Sequence, residues 1–264
     1  MSNTIFKAII NAHETPHCDL LVFENVDPED FARTMKHLQP HRTANRAYPV
    51  RIHWFSSERR LKVVMPSMIH GGAGSWLIQT INRARGRGLM SGAWEHTIMT
   101  AIAPEYKNFI GKYAGSMKEA DFTIIPRIGP GRKQLAAFPS VVMESGRYES
   151  SAQLQADARL WQEGSAGAVR VVLQVKYYEP DHHNNVALDL FISRTAPGGG
   201  PASQEHYHII PAPPQPHYPS ISLDEFYAGH CPPTMNPKTQ ITLDLEMLHD
   251  LVKVCSKKHG APPP

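Results

Sequence analysis

The segment Asp121–Tyr177, DFTIIPRIGPGRKQLAAFPSVVMESGRYESSAQLQADARLWQEGSAGAVRVVLQVKY, decides how the rest of the chain is read. DFTIIP (121–126) and FPSVVMES (138–145) are short apolar runs, and RIGPGRK (127–133) between them has the Gly and Pro of a bend. GRYESSAQLQADARLWQEG (146–164) is polar and turns helical, and VRVVLQVKY (169–177) is a further strand. The expected order is strand, turn, strand, helix, strand.

Alternate side chains of a strand share a face. Asp121 therefore points with Thr123 and Ile125, and Glu144 points with Val142. Each carboxylate ends an apolar run, where burial is costly without a partner or a metal. If the bend closes a hairpin, both acids meet at one edge of the sheet, and converging carboxylates suit a hard cation, Mg²⁺ or Mn²⁺. The plainer alternative is two unrelated strand ends. In the last strand Val169, Val171, Leu173 and Val175 take one face, leaving Val172, Gln174 and Lys176 on the other. Lys176 thus lies on a face from which it can reach a site, or it is an exposed strand-end cation. In the helix, Leu154, Ala158 and Trp161 form one apolar line.

This segment resembles the core of the PD-(D/E)XK superfamily, the restriction-endonuclease-like fold, with Asp121 and Glu144 matching its two acids. The closer similarity is to a branch of small restriction-endonuclease homologues and their eukaryotic relatives. In that branch a Pro-Ser-hydrophobic-Glu strand runs into a Ser-led helix ending in an aromatic, here Pro139, Ser140, Glu144, Ser150, Ser151 and Trp161. Upstream, LKVVMPSMIHGGAGSWLIQTI (61–81) is similar to the branch's strand, Met-Pro, His and helix. The resemblance spans 50–195 and implies an α/β (α+β) mixed sheet flanked by helices. An N-terminal extension (1–49) and a Pro-rich segment with a C-terminal helix packing on the core (196–264) would complete the chain. It implies a Mg²⁺- or Mn²⁺-dependent nucleic-acid phosphodiesterase with Asp121 and Glu144 as metal ligands. The family's Lys falls two residues after the second acid, where this chain has Gly146; Arg147, Arg159 and Lys176 are the replacement candidates. That departure keeps open a second reading, a catalytically degenerate member acting as a nucleic-acid or protein interaction module.

The 264 residues suffice for one large domain or two small ones, and 41% hydrophobic with 19% charged residues is a globular composition. Cys18, Cys231 and Cys255 form neither a disulfide framework nor a CxxC pair. With no leader pattern or membrane-length apolar run, the expectation is an intracellular protein, cytoplasmic or nuclear. A net charge of +3 permits an anionic partner without demanding one.

Residues 1–20 suggest a short strand or turn. His13-Glu14-Thr15-Pro16-His17 has zinc-protease spacing, but Pro16 breaks the helix that spacing requires. Asp27-Pro28 starts a helix over 28–38, which Pro40 is expected to stop. The basic, aromatic stretch 41–57 reads as solvated Arg beside strand aromatics rather than a nucleic-acid surface. A strand over 60–65 precedes a helix capped by Ser67 or Ser75, with His70 near its start. Arg83, Arg85 and Arg87 form the densest positive cluster, either a phosphate-binding surface or a solvated helix end. Residues 94–103 suggest a strand and 104–120 a loop or short helix. Past the turn Asp181–Asn185, Val186–Ser193 is a strand. His206 and His208 then share a strand face, a cupin-like pattern without the rest of a cupin. Leu245, Leu248, Leu251, Val252 and Cys255 have helical spacing.

Overall fold

The computed structural model of the chain describes residues 2–14, 20–43, 50–65, 68–90, 96–146, 150–179, 182, 186–195, 202–213 and 217–258. The first half contains α1 (Ser2–Glu14), β1 (Leu20–Phe23), α2 (Pro28–Thr43), β2 (Arg51–Phe55), β3 (Arg60–Val64), α3 (Met68–Gly86), β4 (Ile98–Ile102), β5 (Glu105–Tyr106), β6 (Lys118–Glu119) and β7 (Phe122–Ile128). The second contains β8 (Gln134–Leu135), β9 (Val141–Gly146), α4 (Ser151–Gly164), β10 (Val171–Tyr177), β11 (Leu188–Arg194), β12 (Ser203–Ile210), β13 (Ser220–Ser222), α5 (Leu223–Tyr227), β14 (Gln240–Thr242) and α6 (Leu245–Lys258). They divide into two compact units, Met1–Ser67 with Glu105–Glu119, and Met68–Pro104 with Ala120–Pro264. No helix among the described residues is long and apolar enough to cross a membrane.

In the first unit β1, β3 and β2 form an antiparallel sheet in that order. One face packs Ile52, Trp54, Leu61 and Val63 against Ile5, Ile9 and Leu38 of the helices. The strand or turn expected over 1–20 is instead the helix α1, because Ile5, Ile9 and Ala12 recur at helical spacing and all three are buried. α2 also runs past Pro40 to Thr43. Pro has a helix-compatible φ, and the carbonyl it leaves without an amide is that of Lys36, on an exposed turn where water can serve it. The segment 104–120, expected as a loop or short helix, has a short 3-10 turn at Gly111–Tyr113 and adds the strands β5 and β6. Met117 exchanges backbone hydrogen bonds with Trp54, and the Ile52 N–H donates to Glu119 Oε2 at 2.9 Å.

The other face of this small sheet corrects the solvated-Arg reading at Arg51; the Arg42 side chain and Arg46 lie outside the described residues. Arg51, His53 and Lys62 are buried, as is Lys118 of β6. Burial first, then repulsion by Lys118, Lys62 and Arg51, holds the His53 imidazole well below its ordinary value.

The second unit is built on a mixed sheet ordered β12-β11-β10-β9-β7-β4, with β8 paired to β7. β7 and β9 are antiparallel neighbours joined through the Gly/Pro bend, and β9 and β10 are parallel, joined by α4. The strand, turn, strand, helix, strand order of 121–177 therefore lies in one sheet, a mixed α/β architecture flanked by helices. On one face, Phe122, Val141, Met143, Val171, Leu173 and Val175 meet Ala73, Trp76, Leu77 and Ile81 of α3 in the main core. α6 packs against α3 so closely that a Cβ on Gly72 would come within 3.2 Å of Cys255 Sγ. The opposite face takes α4. Its Ala, Gln, Leu and Arg are good helix formers, and Ser150 and Gln153 form a reciprocal capping box at its start.

The depressed His53 has a definite sign in stability. Its ring is neutral in the fold, whereas the unfolded chain takes up a proton below about pH 6.5. The contribution is complete above that pH and declines as pH falls toward the depressed folded value, by up to about 1.4 kcal/mol per pH unit. His53→Gln should remove that slope from denaturation midpoints measured on the acid side of neutrality. An unchanged slope would assign the acid loss to other groups.

Candidate functional site

Strand register gathers the polar side chains of the α4 face into two rows. Phe122 pairs with Met143, so Asp121, one step earlier, stands across from Glu144. Glu144 pairs with Gln174, Gln174 with Phe191, and Phe191 with His206. In the next row Gly146 pairs with Lys176, Lys176 with Asp189, and Asp189 with His208. Paired residues on adjacent strands project to the same face. Residues scattered from 121 to 208 thus share one end of one sheet face.

Both sequence-selected acids are buried and hydrogen-bonded. Asp121 Oδ2 accepts from the Ser145 backbone N–H at 2.7 Å and from the Ser145 hydroxyl. Glu144 Oε1 accepts from the Trp161 indole N–H at 2.7 Å, so the aromatic ending α4 anchors the second acid. Among the candidate cations, Lys176 Nζ lies 4.4 Å from the Tyr178 ring centroid and 3.4 Å from Ser151 Oγ. Arg159 is on the exposed side of α4. Arg147, the His70 side chain and the Pro16-His17 end of the protease-like motif lie outside the described residues.

A second constellation sits two strands away. Asp189, His206 and His208 offer one ligand atom each, all within 4.8 Å of one another, and this set could hold a metal ion. Asp189 Oδ1 lies 2.9 Å from His208 Nδ1 and Oδ2 lies 2.9 Å from His206 Nε2. The Tyr178 hydroxyl donates to Oδ2 at 2.8 Å. Burial pushes the Asp189 carboxyl up, but the bonds from Tyr178, His206 and His208 outweigh it and hold the group below its ordinary value. Burial and the Asp189 bond push the Tyr178 hydroxyl up to about 12, which keeps it a donor.

The sequence pairs His206 with His208 correctly but misses Asp189 and Tyr178. One signal was present: Asp189 interrupts the apolar run LDLFIS, where a buried carboxylate needs a partner as much as at the run ends that marked Asp121 and Glu144.

Arg83, Arg85 and Arg87 lie at the C-terminal end of α3. Arg83 is ion-paired with Asp244, and Arg83 and Arg87 line a cavity of about 230 Å³ that also contains Asp244, Glu246 and Tyr218. Acids therefore share this surface with the arginines. No protein-family model matches the chain, and no curated protein matches its sequence.

The Glu144 anchor can be tested without touching the acid. Trp161→Phe keeps an aromatic ring but removes the indole donor, and should cost about 1–3 kcal/mol in chemical denaturation. A change within about 0.5 kcal/mol, the usual range for surface substitutions, would show that the bond contributes little.

Proposed function

We propose that the second unit is a divalent-metal-dependent nucleic-acid phosphodiesterase acting at the Asp121–Glu144 end of its sheet. The observation that carries this reading is the opposition of Asp121 and Glu144 on adjacent antiparallel strands. Opposed Cα atoms stand about 4.5–5.5 Å apart in such a pair; Glu144 reaches the α4 face, where it meets Trp161, and the Asp121 carboxylate lies at the strand end against Ser145. Carboxylate oxygens suit Mg²⁺ or Mn²⁺. When bound, such an ion supplies Lewis-acid polarisation of a phosphoryl oxygen and a more acidic water.

The chain's own groups orient and balance charge. Ser145 and Trp161 hold the two acids by hydrogen bonds, the arrangement by which outer groups fix ligating carboxylates. Lys176 enters the register directly beside Gly146. The cation that the resemblance places at 146 is thus supplied one strand over, on the same face, where it can offset charge developing on a phosphate. Arg83, Arg85 and Arg87 would bind the nucleic-acid backbone, with Arg83 exchanging Asp244 for phosphate.

Gly146 itself favours a second reading, a module of the same fold that binds nucleic acid without cutting it. Cleavage assays on single- and double-stranded DNA and RNA with Mg²⁺ or Mn²⁺ separate the two. Glu144→Gln and Asp121→Asn should each lower cleavage by about a hundredfold or more, since even groups supporting a metal ligand are worth 10–100-fold. Lys176→Ala should lower turnover. A wild-type chain that neither cleaves nor binds Mg²⁺ or Mn²⁺ would leave the module reading. Binding through the arginines should weaken steeply with added salt. Affinity indifferent to salt and to Arg→Ala at 83, 85 and 87 would remove that surface.

A further inference from the structure

We infer that Asp189, His206 and His208 form a separate metal site that takes a borderline transition-metal ion of the Zn²⁺ class rather than Mg²⁺. The inference stands independently of the phosphodiesterase reading, because it rests on different residues and different donor chemistry.

The backbone explains why these three side chains converge. Register along β11 and β12 pairs Leu188 with Ile210 but Asp189 with His208, so Ile209 is an extra residue on β12. A bulge of this kind re-aims the side chains around it. Here Ile209 and Ile210 both enter the core, while His206 and His208 stay on the face of Asp189. His208 lies directly across from Asp189 and reaches it with its near nitrogen, Nδ1. His206 is paired two residues further along, with Phe191, and reaches with its far nitrogen, Nε2. The unequal reach compensates for the unequal distance, so both rings end at one carboxylate.

The surroundings hold that arrangement. The His206 ring stacks on Phe191 at 4.4 Å and 10°, which fixes its orientation. Tyr178 anchors the carboxylate by donating to Oδ2, a supporting bond of the kind that orients metal-ligating groups. The Asp189 side chain is only 7% exposed, against 41% for His206 and 65% for His208. The set is therefore rooted in the sheet and open to solvent on its outer side, as in three-ligand sites that keep a position for water.

Donor type selects the ion. Two imidazole nitrogens and one carboxylate suit Zn²⁺ and its transition-metal neighbours, whereas Mg²⁺ favours an all-oxygen shell with several waters. Ligand atoms around a tetrahedral Zn²⁺ at about 2.0–2.1 Å stand about 3.3 Å apart. The 2.9 Å contacts run to the two different oxygens of Asp189, and the three ligand atoms lie within 4.8 Å of one another, so the imidazoles have to settle around one ion by side-chain adjustment. Glu144 on β9 and Asp189 on β11 are two strand spacings apart, about 10 Å. That exceeds the roughly 3.5–4 Å of a two-metal clamp, so the two sites act separately.

Co²⁺ serves as the probe, because its visible absorption reports coordination directly. Titration of the full chain should give a saturable Co²⁺ signal that Zn²⁺ abolishes and excess Mg²⁺ does not. His206→Gln and His208→Gln alter exposed side chains, so the fold should survive, and each should weaken binding at least tenfold. Tyr178→Phe should weaken it by about 10–100-fold, as expected of a supporting group. The titration is run in excess Mg²⁺, which occupies the Asp121–Glu144 end, so a Co²⁺ signal lost in the His variants belongs to this site and its failure is read separately from failure of cleavage. No Co²⁺ signal in the wild-type chain, or one that persists in both His variants, would overturn the site and leave a hydrogen-bonded His–Asp–His cluster.

Discussion

The parallel pairing of β9 with β10 is the constraint from which the polar face of the sheet follows. Parallel neighbours cannot be joined by a tight turn and require a crossover, here α4, lying over one face of the sheet. With α3 and α6 on the other side, both faces of the sheet are covered, and the polar residues of β9, β10 and β11 fall on the α4 face among the buried Val142, Val172 and Phe191. β9 and β10 finish at the same end of the sheet, where antiparallel β7 and β11 begin. Asp121, Glu144, Lys176 and Asp189 accordingly gather there without being adjacent in sequence.

Polar groups on a covered face have to be satisfied, and their partners also specify how α4 sits. The Gln174 side-chain amide donates to the Leu154 carbonyl of α4, and the Trp161 indole donates to Glu144. Both bonds run between sheet and helix, so sliding α4 along β10 would break them together. Asp121 is held within the sheet by Ser145, and Asp189 by Tyr178 and two imidazoles. A buried carboxylate left without donors would cost more than any of these bonds contributes, which favours one seating of the helix.

The parts of this arrangement governed by local periodicity were legible in the sequence. The faces of β10, the Leu154–Ala158–Trp161 line of α4, the shared face of His206 and His208 and the C-terminal helix α6 follow from period 2 or period 3.6. Features set by competition or by long-range pairing were not. The Ile9-Ile10 doublet masked the helical spacing of α1, and Pro40 was tolerated because the turn it disturbs is solvated. Arg51 is buried among cations, contrary to what charge alone suggests. No residue in 105–119 announces that this segment belongs with the first unit. Asp189 was hidden for a related reason: its partnership with the histidines depends on a bulge at Ile209, a backbone event without a side-chain signature.

Lys176 ties these observations together. It sits in the row Gly146, Lys176, Asp189, His208, between the strand that carries Glu144 and the strand that carries Asp189. Three carboxylates, those of Asp121, Glu144 and Asp189, occupy this end of the face, and their mutual repulsion is eased by a cation held between them. Lys176 lies over the Tyr178 ring, whose hydroxyl in turn anchors Asp189. A lysine at 146 would rise from a backbone position one strand spacing, about 4.8 Å, from that of Lys176, on a face that already has its cation. With glycine at 146 and lysine at 176, this row has one cation, on the strand between Glu144 and Asp189.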